Sequence, residues 1–278
     1  MQQYFARLRT SRSVQAVSIA IIVVVLNGLL YLGPFYQALG AGAVLSISGL
    51  ANIAAAAISV WLGFRLWQSS RRGESMRLIW GSLTGGLILW VLAEIIWDAY
   101  QVAQNLEKPS ASPADIAWIL GYIAIFVGLI VRIRSLHMRI TKPWQYSVLA
   151  AFGLLAVLVV IYVMIPIFNA THGAASYVGF SGLFYAGCDL VLAFLSLLLV
   201  LVLQGGLLSK PWAAIAGACF CIAVSNLLYA FALAHGIFQV GPAAGLDLIS
   251  YVIDMSYTLA YVLMALGLYL QANMLDAI

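Results

Sequence analysis

The chain has 278 residues, of which 64% are hydrophobic and only 8% charged, with a mean hydropathy of +1.05. Soluble domains carry about 25% charged residues because their surfaces face water, so this composition excludes a water-soluble globule and requires an exterior that faces lipid. The formal net charge of +4 sits in short breaks between apolar runs, which is the pattern of membrane orientation and not of a nucleic-acid-binding patch.

A helix needs about 20 apolar residues to cross the hydrocarbon core. Arg7, Arg9 and Arg12 precede the first such run, 14–33, whose length and lack of a small-residue cleavage site predict a retained helix and not a signal peptide. Seven further spans follow at 42–68, 78–103, 114–134, 145–168, 178–204, 211–235 and 245–272. Between them stand helix breakers: Gly33-Pro34, Ser69-Ser70, Pro109 with Pro113, Lys142-Pro143, Asn169 to Gly173, Gly205-Gly206 and Gly241-Pro242. The predicted fold is all-α: a polytopic membrane protein of eight transmembrane helices forming a single integral membrane domain over 1–278.

Orientation follows from the basic residues. With the N-terminus inside, the cytoplasmic face receives Arg7, Arg9, Arg12, Arg65, Arg71, Arg72, Arg77, Arg132, Arg134, Arg139, Lys142 and Lys210, and the outer face only Lys108. Twelve of 13 positive charges on one side predict both termini in the cytoplasm of a multi-pass cell-membrane protein. Trp67, Trp80 and Trp144 fall near the cytoplasmic interface, where indoles are expected to anchor. Cys188, Cys219 and Cys221 lie inside apolar runs without a CxxC partner and read as buried thiols.

The halves 1–140 and 141–278 have matching loop patterns and read as two four-helix repeats. A shift of 132 residues places Glu94 on Asn226, Trp97 on Tyr229 and Asp115 on Asp247. Such a repeat keeps its orientation and gives a pseudo-twofold axis along the membrane normal; a coincidental match of apolar helices is the competing reading.

Polar residues within the spans carry the functional information, because a buried carboxylate in lipid costs several kcal/mol unless paired, hydrated or protonated. Glu94, Asp98, Asp115, Asp189, Asp247 and Asp254 all fall in the predicted outer half, with no Lys or Arg beside them. Glu94 and Asp98 share a helix face with Trp97 and Gln101, and Trp90 lies one turn below. Ser181, Tyr185 and Asp189 repeat at helical spacing, as do Asp247, Tyr251 and Asp254, with Tyr257 beside them. Asn226 and Tyr229 join from the seventh span, with His235 near its outer end. The candidate ligand-binding set is therefore Trp90, Glu94, Trp97, Asp98, Tyr185, Asp189, Asn226, Tyr229 and Asp254, an acidic and aromatic pocket open to the outside in which a cation could meet carboxylates and ring faces. Structural readings compete. Asp115 and Asp247 begin helices and are expected to cap them; the other acids could join helices as protonated hydrogen-bonding groups, and the aromatics could simply pack.

No HExxH, GxSxG or P-loop is present, so no enzyme is expected. His137, His172 and His235 fall on two sides of the membrane, which excludes a three-histidine metal site; no cofactor is named by the sequence. Asn169-Ala170-Thr171 is a formal glycosylation triplet.

The segment from Leu92 to Tyr100 (LAEIIWDAY), followed by Lys108 to Tyr122 (KPSASPADIAWILGY), resembles the multi-helix membrane sensor domains N-terminal to some prokaryotic histidine kinases and diguanylate cyclases. The resemblance spans about 45 residues and implies signal reception. Members of that family continue into a cytoplasmic kinase or GGDEF module, whereas this sequence stops after the last span. The leading expectation is thus a sensory or ligand-binding module whose partners are membrane lipid and another protein chain, a cytoplasmic output protein or a membrane subunit. An ion-coupled transporter and a structural or accessory subunit of a larger complex are the alternatives.

Overall fold

The computed structural model describes residues 2–104, 112–136, 142–170, 177–203, 208–237 and 248–275. Its helices are α1 (Gln2–Leu30), α2 (Gly33–Leu39), α3 (Ala41–Ser69), α4 (Ser75–Gln104), α5 (Pro113–Ser135), α6 (Pro143–Val159), α7 (Ile165–Ala170), α8 (Tyr177–Val202), α9 (Ser209–Ala234) and α10 (Leu248–Leu275). Among the described residues, eight helical stretches are long and apolar enough to cross a membrane: Arg12–Leu30, Gly42–Ser69, Ser75–Tyr100, Pro113–Ser135, Pro143–Ala170, Gly179–Val202, Ser209–Ala234 and Leu248–Leu275. They match the eight spans read from the sequence, and the chain is an all-α polytopic membrane protein. Lys108, His137, Arg139, His172, Asp247, Gly205-Gly206 and Gly241-Pro242 lie outside the described residues, as do the side chains of Arg7, Arg9 and Gln101.

Local chemistry explains the ends. Pro113 occupies the first turn of α5, where its missing N–H costs nothing. Ser112 caps that turn in a reciprocal box: its own N–H donates to Asp115 Oδ2 at 3.0 Å, satisfying a group the helix cannot. At the start of α6 the Lys142 N–H donates to Gln145 Oε1 at 2.9 Å. Gly40, at φ +80°, lets the chain turn from the short α2 into α3. One turn of π-helix, Val160–Met164, joins α6 to α7 just before Pro166. A proline ring collides with the carbonyl four residues back, and the wider turn relieves that contact.

Successive spans run antiparallel, as their contacts show. A Cβ on Gly63 of α3 would meet Thr84 of α4, and one on Gly49 would meet Asp98. Between α4 and α5, Gly86 faces Gly121, and Gly128 faces Ile79 and Leu83. Between α9 and α10, Gly267 lies against the Pro211 carbonyl and Ile215. This threading gathers Arg65, Arg77, Arg132, Arg134 and Lys210 at one end of the bundle, and Glu94, Asp98, Asp189 and Asp254 towards the other.

The core joins α4, α5, α8, α9 and α10 with part of α3, and includes Leu62, Leu83, Leu129, Leu199, Ile215 and Leu268. On the basic side its centre is a pair of stacked indoles, Trp80 and Trp212, with centroids 5.0 Å apart. Trp80 is only 1% exposed, so it is a core residue and not the interfacial anchor its position in the sequence predicts. Trp144 is 42% exposed and remains free for that role. Leucine, isoleucine and valine cover the outside of α1 and α6, as a lipid-facing surface requires.

Candidate functional site

The acidic half of the bundle holds a chain of hydrogen bonds across four helices. Tyr122 of α5 donates to Asp189 Oδ1 of α8 at 2.5 Å. Asn226 Nδ2 of α9 donates to the same oxygen at 2.9 Å and to the Tyr122 hydroxyl at 2.7 Å. Tyr257 of α10 closes the group by donating to Asn226 Oδ1. Asp189 is 1% exposed, and two donors on one of its oxygens offset the loss of water that burial imposes.

Glu94 of α4 forms a second node. Its Oε1 accepts the Tyr261 hydroxyl at 2.8 Å, and the Trp118 side chain lies in hydrogen-bonding reach. Tyr257 links the nodes, within electrostatic reach of Glu94, Asp189 and Asp254. Asp254 faces α1, where Tyr31 donates to its Oδ2 at 3.0 Å. A smaller polar seam joins α1, α3 and α10: Asn27 Nδ2 donates to Thr258 at 2.8 Å and to Ser48 at 3.2 Å, and Thr258 donates to Asn52 at 2.9 Å.

The nine residues predicted for the site thus fall into distinct places. Glu94, Asp189 and Asn226 meet around Tyr257. Trp97 points between α5 and α9, 5.8 Å from Trp118 and 6.5 Å from Tyr229 by ring centroid, so these three rings form an aromatic cluster above Glu94. Asp98 turns the other way, to α3, where its carboxylate fills the space that a side chain at Gly49 would take, 2.5 Å from the ideal Cβ. Tyr185 donates to Asp115 Oδ1 at 2.9 Å, so it secures the start of α5. Trp90 lies deeper, 2% exposed, edge-on to Tyr122 with its indole N–H 3.4 Å from the Trp118 carbonyl. Asp115 caps α5, as expected from its position.

The nodes are completed by residues the sequence reading left out of the site: Tyr122, Tyr257, Tyr261 and Trp118. Their signal was helical spacing. Trp118 and Tyr122 are four apart, as are Tyr257 and Tyr261, so each pair presents polar tips along one face. Arg132, one of the charges at the basic end, is buried there: it is only 6% exposed and lies over the Trp212 ring at 4.6 Å.

Asp98 differs from the other carboxyls. Among the described residues no donor hydrogen-bonds to it, although it is half-buried and one turn from Glu94. No group of three or more His, Cys, Asp or Glu side chains in metal-binding array occurs among the described residues. The fold and site define a polytopic helical membrane protein with a polar, aromatic centre displaced towards one end. Compared with models of known protein families, with curated proteins and with solved structures, the chain matches none.

Proposed function

We propose that this chain is a membrane-embedded sensory or ligand-binding module of the cell membrane, with both termini cytoplasmic and its acidic end outward, that passes a signal to a partner protein. The observation that carries the reading is the carboxyl pair one helical turn apart on α4: Glu94 beneath the Trp97–Trp118–Tyr229 rings, and half-buried Asp98 towards α3, to which no donor among the described residues hydrogen-bonds. A carboxyl in lipid is costly unless paired or hydrated, and a cationic or hydrogen-bond-donating ligand entering from the outer end would answer this pair. On the Glu94 side the ring faces would supply the apolar and cation–π part of the contact.

The basic half favours sensing over transport. A carrier needs a continuous polar path through the bundle, whereas here the stacked Trp80 and Trp212, with Arg132 lying over Trp212, are packed among mostly apolar neighbours in that half. The resemblance around Trp97 and Asp115 to prokaryotic sensor domains points the same way.

The test is a thermal-shift series in lipid nanodiscs with choline, spermidine and tetramethylammonium as probes. The reading expects at least one of them to raise the midpoint of the wild-type protein, with the shift lost in Asp98→Asn and Glu94→Gln. Accumulation of the same probe inside proteoliposomes, dependent on Glu94, would instead make the chain a carrier. A set of probes that shifts neither wild type nor variants would remove the cationic-ligand reading.

A further inference from the structure

Three spans of each half correspond once each helix pair is given its own offset. From α3 to α8 the offset is 137: buried Ala55, Ala56, Ser59 and Leu62 fall on buried Leu192, Ala193, Ser196 and Leu199. Both serines bond back to the carbonyl four residues earlier, Ser59 to Ala55 at 2.9 Å and Ser196 to Leu192 at 2.7 Å. From α4 to α9 the offset is 132 and pairs Trp80 with Trp212, Leu83 with Ile215 and Glu94 with Asn226. From α5 to α10 it is 139 and pairs Asp115 with Asp254, Tyr122 with Tyr261, Gly128 with Gly267, and Leu129 with Leu268. The uniform shift of 132 expected from the sequence therefore does not extend to the last span, where Asp254 replaces Asp247 as the partner of Asp115.

Contacts correspond as well as residues. Gly128 approaches the Ile79 carbonyl and Leu83, while Gly267 approaches the Pro211 carbonyl and Ile215; these partners are themselves 132 apart. The links between the halves exchange. Tyr122 of the first half meets Asn226 of the second, and Tyr261 of the second meets Glu94 of the first. The stack of Trp80 on Trp212 maps onto itself. Apolar composition and small residues at helix crossings would produce a likeness between any two helix pairs, but not an exchange of cross-half contacts.

We infer that the chain is a tandem duplication of one helical unit, folded about a pseudo-twofold axis that passes between Trp80 and Trp212, and that each half carries a carboxyl–amide pair on exchanged helices, served by a tyrosine of the other half. In the first half the carboxyl is Glu94 on α4 and the amide is Asn52 on α3. In the second the carboxyl is Asp189 on α8 and the amide is Asn226 on α9. Tyr261 serves the first and Tyr122 the second. One carboxyl per pair is kept, and only its helix differs.

The relation breaks outside these spans in an informative way. Both Asp115 and Asp254 accept a tyrosine hydroxyl, but Asp115 takes it from Tyr185 of α8 and Asp254 from Tyr31 of α1. The first helix thus supplies to one half what α8 supplies to the other, where Ser48 stands at the position equivalent to Tyr185. Asn52 likewise accepts from Thr258, whereas Asn226 donates to its carboxyl directly. The inference is independent of the sensory reading, since a duplicated carrier or subunit would show the same relation.

Two mutant cycles test it, read as thermal midpoints in nanodiscs. In the first half, Asn52→Asp adds a second carboxyl to the Glu94–Asn52 pair and is expected to lower the midpoint by several degrees; adding Glu94→Gln restores one carboxyl to the pair and most of the midpoint. In the second half, Asn226→Asp followed by Asp189→Asn should behave in parallel, with recoveries equal within about twofold. Should either single variant not fold, return of a monodisperse elution peak in the double variant reads the same recovery. Recovery in one half only, or in neither, would overturn the proposed equivalence. Ligand-probe binding is not measured, so this outcome is separate from that of the functional test.

Discussion

Tyr122 shows how a single hydroxyl can hold a membrane bundle together. It donates to Asp189, accepts from Asn226, and so joins three helices where no water competes. Interhelical hydrogen bonds in membranes are usually worth less than 1 kcal/mol, with the strongest near 1.7. A bond to a buried carboxyl belongs at the upper end. Tyr122→Phe is therefore expected to lower unfolding free energy by about 1–2 kcal/mol, measured by denaturant titration in mixed micelles. Tyr162→Phe, at a residue 54% exposed on the lipid side, should change it by no more than a few tenths. At this scale the sequence was partly legible. The carboxyls and Asn226 stand out because polar groups in a span are rare, but their tyrosine donors do not, since a tyrosine in an apolar helix is ordinary packing material. Asp98 and Trp97 are neighbours in sequence, yet they turn to α3 and to α5 with α9, a divergence that only helix packing decides.

Helices approach closely where glycines permit it. Gly267 brings α10 onto the start of α9, where an added Cβ would lie 2.8 Å from the Pro211 carbonyl and 2.9 Å from the Ile215 nitrogen. Backbone cannot step aside as a side-chain tip can, so the helices must separate. Gly267→Ala should destabilise the protein by about 1–3 kcal/mol, seen as a lower midpoint and earlier aggregation on heating. Gly153 of α6 has nothing within 4 Å of an added Cβ. Gly153→Ala should be neutral or slightly stabilising, because alanine is the better helix former. Existence and approximate extent of all eight spans were readable from hydropathy alone, since each must satisfy its own backbone in lipid. The short α2 and the π turn before Pro166 were not, because both are local adjustments inside or beside an apolar run. Trp80 was misplaced for a related reason: sequence gives the level of a residue along the membrane, but not whether it faces lipid or the bundle axis.

Across the whole molecule, two asymmetries coincide. Basic residues collect at one end and set the expected orientation by the distribution of positive charge. Carboxyls, amides and aromatic hydroxyls collect towards the other, while stacked indoles, the buried Arg132 and mostly aliphatic side chains fill the basic half. The first asymmetry is fully visible in sequence; the closure of the basic half is visible only when Trp80 and Trp212 are brought face to face. Together they are the basis of the proposal that the site is entered from one side. The most direct measurement is water-soluble maleimide labelling of Asp98→Cys, in a background with Cys188, Cys219 and Cys221 replaced, in sealed vesicles of each orientation. Labelling in right-side-out vesicles alone is the predicted result. Labelling in inside-out vesicles would contradict both the outward-facing site and the closed basic half.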